Sequence, residues 1–180
     1  TERVDYGGKI VEEVDEAEAE DLARVIKKRG VNTIAICFVN AFANPQNEQR
    51  MRDILSKNLP DASISISSDI MPEIFEHERF STTVANAVLA PVAGDYTRDL
   101  AKRMKDGGYE EDVLLLHSGG GVMTAKNAEN FAARLSASGI AAGAIASRFV
   151  AEKAGFENSI GLDMGGTSTD VCLCDRGELP

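Results

Sequence analysis

The sequence predicts an α/β fold with a largely parallel sheet and helices on both faces. Short apolar runs alternate with amphipathic stretches along the whole chain, the pattern of βαβ units. The apolar run at residues 31–39 (VNTIAICFV) is nearly continuous, as expected of a strand covered on both sides. With 180 residues and 43% hydrophobic content, the chain can also bury a sizeable core.

The elements follow in order. Residues 3–11 read as a strand. Asp15 precedes Glu16, Glu18 and Glu20, acids suited to a helix N-terminus, and Leu22, Val25 and Ile26 continue at helical spacing until Gly30 closes the segment. After the strand at 31–39, Asn44 is a cap and Pro45 the first position of a helix reaching Asn58. Residues 63–67 alternate isoleucine with serine, a short strand. Pro72 is expected to open a helix to Leu89, and Pro91 to open another that ends at Gly107 and Gly108. A buried strand at 113–116, helices at 125–133 and about 140–154, and strands at 159–163 and 171–174 complete the pattern.

Bulk composition narrows the function. Lys and Arg number 19 against 29 Asp and Glu, so the formal net charge of −10 repels nucleic acid and anionic membrane surfaces. Three cysteines, an odd number with Cys172 and Cys174 separated by a single residue, argue against a disulfide framework and fit a reducing cytoplasm. No apolar stretch is long enough to span a bilayer. The abrupt start at Thr1 and the end at Glu178, Leu179 and Pro180, directly after a strand, suggest a piece of a longer polypeptide.

The most informative segment is DMGGTSTD. A strand ends in Asp163; Gly165 and Gly166 can then present bare backbone N–H groups, and Thr167, Ser168 and Thr169 add hydroxyl donors, a concavity suited to phosphate oxygens. Asp163 and Asp170, one at each end, can hold a hydrated Mg²⁺, an ion that keeps several waters and takes one or two carboxylates. The turn joins strand to strand, and neither GxxxxGK[ST] nor GxGxxG occurs. The same string also suits a plain tight turn. Ser118, Gly119, Gly120 and Gly121 share this ambiguity at the end of another strand, where open α/β sheets place ligands. His77 and His117 lack a third ligand spaced for zinc and read as ordinary surface or hydrogen-bonded histidines. Cys172 and Cys174 read as strand packing, with soft-metal binding as the other option. Glu73, Glu76, Glu78 and Arg79 read as a solvated charged face, with a substrate contact from Arg79 as the minority reading.

At these residues the sequence resembles the hydantoinase A and 5-oxoprolinase family, whose relatives include ATP-dependent acetone and acetophenone carboxylases. Five stretches carry the likeness in order: GVNTIAICFVNAFANPQNE, SSDIMPEIFEHERFSTTVANAVLAP, HSGGGVM, SGIAAGA and LDMGGTSTDV. The chain departs at Gly139 and Ile140, where many relatives place proline, and at His77, often a tyrosine. The resemblance implies ribonuclease-H-like lobes of the actin, sugar-kinase and Hsp70 ATPase superfamily. Residues 1–157 would be a central α/β region, and 158–180 the start of the lobe carrying the second phosphate hairpin. It implies ATP and Mg²⁺ as cofactors and a second enzyme subunit as a possible partner. The implied activity is hydrolysis of a cyclic amide after carbonyl phosphorylation. The alternatives are an ATP-dependent ketone carboxylase subunit and a nucleotide-gated binding module. The first phosphate turn of such a fold is absent from these residues, so the piece alone is expected not to turn over ATP.

Overall fold

The computed structural model describes residues 1–179, which form two compact units. The first comprises residues 1–99 with 129–133, the second residues 100–128 with the remainder of the chain. Among the described residues, no helix is long and apolar enough to cross a membrane.

The first unit opens with an antiparallel hairpin, β1 (Arg3–Val4) and β2 (Ile10–Glu12), where one strand was expected. Gly8 is the reason for the break. Its φ of +84 turns the chain, and a side chain there would stand 3.1 Å from the Ala43 carbonyl oxygen. Helix α1 (Glu16–Lys28) starts where its cap predicts, the Asp15 carboxylate accepting from Glu18 N–H at 3.0 Å. Strand β3 (Thr33–Ile36), helix α2 (Gln46–Asn58) and strand β4 (Ser63–Ile66) form a βαβ unit. The two strands run parallel, in register from Thr33↔Ser63 to Ile36↔Ile66. Asn44 Oδ1 accepts from Gln46 N–H at the start of α2. Ile36 and Ile66 bury against Ala23 of α1 and Leu55 and Leu59 at the end of α2. Each fully buried side chain of this kind contributes about 1.5–3 kcal/mol. Helix α3 (Ser67–Ile70) follows β4 at once.

Pro72 opens no helix, and Pro91 opens none either. A single helix, α4 (Glu76–Asp106), runs through Pro91. Its buried residues Arg79, Thr83, Asn86, Ala87, Ala90, Gly94 and Thr97 recur every three or four positions on both sides of the proline. Burial of one continuous face therefore outweighs the roughly 3 kcal/mol that an interior proline costs a helix. The Asn86 amide of this helix donates to Ser65 Oγ, 3.1 Å away, so α4 covers the serine side of β4 while α2 covers its isoleucine side.

The rest of the chain holds a hairpin of β5 (Leu114–Leu116) and β6 (Val122–Thr124), helix α5 (Ala125–Asn130) with a 3₁₀ turn at Ala132–Leu135, helix α6 (Ser138–Lys153), and a hairpin of β7 (Ser159–Met164) and β8 (Thr169–Cys174); residues 129–133 of this stretch belong to the first unit. The expectation of a largely parallel sheet is not met. Among the described residues only β3 and β4 pair in parallel, and the other three two-stranded sheets are antiparallel. The cause is connection length: the four- or five-residue turns within the hairpins permit only antiparallel pairing, and parallel strands need a crossover such as α2. Helix α6 packs on the β7–β8 ribbon at Gly161. A side chain there would lie 2.5 Å from both Ser147 Oγ and Cys172 Sγ. The opposite face of the ribbon exposes Ile160, Leu162, Met164, Val171 and Leu173.

Candidate functional site

The β7–β8 hairpin places the DMGGTSTD segment at its tip. Met164 pairs with Thr169, so Gly165, Gly166, Thr167 and Ser168 form the turn, closed by Gly165 N–H donating to the Ser168 carbonyl at 3.0 Å. Residues 162–169 are all exposed. The two glycines are not required by the turn itself. Neither adopts a positive φ, a side chain on Gly166 would meet nothing within 4 Å, and one on Gly165 would meet only the Ser168 carbonyl oxygen at 3.8 Å. A tight turn uses glycine for left-handed backbone or for crowding. Here the chain's own conformation supplies neither reason; the Gly165 N–H is engaged by the Ser168 carbonyl, and the Gly166 N–H donates to no group among the described residues.

Below the tip, Asp163 pairs directly with Asp170 across the ribbon. Like charges in that relation repel. Among the described residues neither carboxylate has a basic partner, and the two are oxygen donors of the kind that could hold a small divalent cation. The Asp163 carboxylate also lies against α6, where a side chain on Gly143 would stand 3.5 Å from Oδ2. Among the described residues no group of three His, Cys, Asp or Glu side chains is gathered as for a metal ion. All three cysteines are free.

The second glycine segment is different. Ser118, Gly119, Gly120 and Gly121 make the β5–β6 turn, with Ser118 N–H donating to the Arg134 carbonyl at 2.7 Å. Gly120 has φ +78, and the spaces above Gly119 and Gly121 are filled by the His117 ring. The glycine triplet thus has an internal explanation. Both segments meet α6: Gly120 faces Ile145, and the β7–β8 ribbon packs on Ser147 and Gly143.

Arg79 corrects the expectation of a solvated charged face. Glu73 and Glu78 are exposed, but Arg79 is 0% exposed. Its Nη1 donates to the Phe38 carbonyl at 2.9 Å and to Ser67 Oγ at 2.5 Å, and its guanidinium lies 4.8 Å from the Phe80 ring centre. Ser67 in turn donates to the Glu48 carboxylate at 2.6 Å, which also accepts from the N–H groups of Phe38 (2.7 Å) and Ser68 (2.8 Å). Arg79 and Glu48 therefore grip the same two points, the exits of β3 and β4, and meet at one hydroxyl. Arg79 has no surface left for a substrate in this arrangement. The network tunes Cys37 beside it. Burial first, and then the Glu48 carboxylate, push this thiol up from its ordinary range against the opposing hydrogen bond to Thr83 and the Arg79 charge. Sequence reading missed Glu48, Ser67 and Asn86; the recurrence of buried positions along α4 was the available signal. A groove of about 1060 Å³ beside β4, lined in part by Ser63, Ser65, Pro91 and Arg98, includes none of the expected site residues.

The hydantoinase/oxoprolinase family profile matches residues 79–180, and the profile of that family's N-terminal region matches residues 1–59. The chain belongs to the hydantoinase/oxoprolinase family. An uncharacterized protein of Methanocaldococcus jannaschii is 34% identical over 93% of this chain and 25% of its own length. Caprolactamase subunit alpha of Pseudomonas jessenii is 32% identical over 95% of this chain and 25% of its own. The nucleotide-free structure of acetone carboxylase, solved in work on its ATP-dependent carboxylation of acetone, superposes with a TM-score of 0.90. It has 29% identity and covers 100% of this chain and 26% of that one. This member of the family thus shares the α/β fold of acetone carboxylase and spans about a quarter of the length of each of these three relatives.

Proposed function

We propose that the protein is a subunit of an ATP-dependent cyclic amide hydrolase, and that the 163–170 hairpin is one of its two phosphate-binding turns. The observation that carries this reading is the exposed turn at Gly165 and Gly166, which has no conformational or packing need for glycine and leaves the Gly166 N–H without a partner among the described residues. Likeness to caprolactamase supports an amide substrate, and likeness to acetone carboxylase supports ATP use. In this reading, ribonuclease-H-like lobes of the actin and sugar-kinase type clamp the nucleotide, and residues 158–180 begin the lobe with the second hairpin.

The chemistry asked of these residues is positioning and charge stabilisation. The amide of Gly166 and the hydroxyl of Thr167 hold phosphate oxygens, while the Gly165 N–H closes the turn on the Ser168 carbonyl. The carboxylates of Asp163 and Asp170 hold Mg²⁺, which neutralises charge on the polyphosphate when bound. The β5–β6 turn at Ser118 to Gly121 lines the same cleft. The amide carbonyl oxygen attacks the γ-phosphorus of ATP and ADP leaves. One water then adds to the activated carbon and the ring C–N bond breaks, releasing the amine and leaving an acyl phosphate, which a second water hydrolyses to the carboxylate and free phosphate. Acetone carboxylase supports a second reading, in which an enolate oxygen is phosphorylated before carboxylation.

Phosphate release by the full-length protein, measured with cyclic amides, with acetone plus bicarbonate, and with no substrate, separates the two readings. Release dependent on a cyclic amide is the expected result. Asp163→Asn should weaken Mg-ATP use at least about tenfold, on the scale seen when a metal site loses an organising group. Unchanged activity would remove this carboxylate from its role.

A further inference from the structure

The His117 ring is held more firmly than a surface histidine needs to be. Its Nδ1 accepts from Gly119 N–H at 3.0 Å. Side chains on Gly119 or Gly121 would stand 3.1 Å from Cε1 or 2.7 Å from Nε2, so both positions are shaped around the imidazole. An accepting Nδ1 carries no proton, which places the proton of the neutral ring on Nε2. Nε2–H has no partner among the described residues, and the residue is half-buried rather than covered. A donor of fixed direction thus stands at the carboxyl end of β5, on a turn whose Gly120 packs against Ile145 of α6. The same helix contacts Asp163 and Gly161 of the phosphate hairpin.

We infer that His117 is a ligand-binding residue whose Nε2–H donates to a phosphoryl oxygen of the bound nucleotide. This rests on the nucleotide reading above and adds a side chain to it. The glycine triplet then serves to seat the imidazole, and the ligand contact belongs to the ring rather than to the glycine amides.

Two replacements separate donor from scaffold in the full-length enzyme. His117→Asn keeps an oxygen acceptor where Nδ1 stands, and so keeps the bond from Gly119, but removes the group at Nε2. His117→Gln keeps an amide N–H near Nε2 and loses the inner acceptor. Steady-state KM for Mg-ATP and for the amide, with melting temperature alongside, are the readouts. His117→Asn should raise KM for Mg-ATP about tenfold or more, the usual scale for a lost hydrogen bond to a charged oxygen, with its melting temperature held. His117→Gln should keep KM for Mg-ATP near wild type and melt at lower temperature. An unchanged KM for Mg-ATP in His117→Asn would overturn the inference. So would a rise confined to the amide KM, or equal rises in both variants. If wild type uses ATP and Asp163→Asn abolishes that use while His117→Asn does not affect it, only the histidine assignment fails. If wild type uses no ATP, the nucleotide reading fails and takes this one with it.

Discussion

Replacing Arg79 by methionine removes a buried cation while keeping an unbranched apolar side chain against Phe80. Two hydrogen bonds vanish, to the Phe38 carbonyl and to Ser67 Oγ, and the Glu48 carboxylate stays buried without its bridged partner. Removing one of two buried opposite charges linked through the Ser67 hydroxyl is expected to cost about 3–5 kcal/mol, the scale seen when a buried charge loses its counterpart. For a chain of this size each kcal/mol lowers the melting temperature by about 2–4 °C, so a fall of about 6–20 °C follows. The assay is a thermal melt followed by circular dichroism. Glu48→Gln in the same background should recover part of the loss, since it removes the stranded charge; the double-mutant cycle measures the coupling. A fall of less than about 2 °C for Arg79→Met would refute the claim that this pair anchors the strand exits.

Two further outcomes can be checked. Gly161→Ala forces a methyl group into the contact among Ser147, Cys172 and the ribbon, an overpacking worth about 1–3 kcal/mol in the same melt; an unchanged melting temperature would show that α6 does not rest there. The Cys37 thiol, pushed up by burial, favours the folded state below the pH where an unfolded cysteine ionises, roughly 8.5, and that advantage is lost as pH rises further. Cys37→Ser should therefore flatten the alkaline decline in stability, and iodoacetamide should label Cys37 more slowly in the folded than in the unfolded chain; equal labelling rates would contradict the burial argument.

Elements with local punctuation were legible. Asp15 marked α1, Asn44 marked α2, and Gly30 ended the first helix, because caps and stops act within a turn of the residue that carries them. Pro91 misled for the same reason. Its local preference is to begin a helix, and only the burial of a face that extends from Arg79 to Thr97 overrides it. Strand β6 went unread because Val122–Thr124 is too short to show a period of its own. For the candidate site, the phosphate hairpin and its two aspartates could be named from spacing. The difference between the two glycine segments could not, since it depends on which glycine has a neighbour in space: His117 for one, nothing for the other. Arg79 looked like solvent-facing charge because its partners Phe38, Ser67 and Glu48 lie 12 or more residues away in sequence.

The β1–β2 hairpin is fastened by amide side chains. Asn40, Asn44 and Asn47 donate to the carbonyls of Val4, Gly8 and Glu12, each about 35 residues upstream. Asn40 holds a left-handed φ of 59 in the loop from which it reaches Val4. These ties exist only after α2 and the loop before it have taken shape, so the first dozen residues dock late in folding and are the first to peel away when the molecule is strained. Native-state hydrogen exchange should find the Val4 and Ile10 amides opening well before those of Ile36 and Leu55.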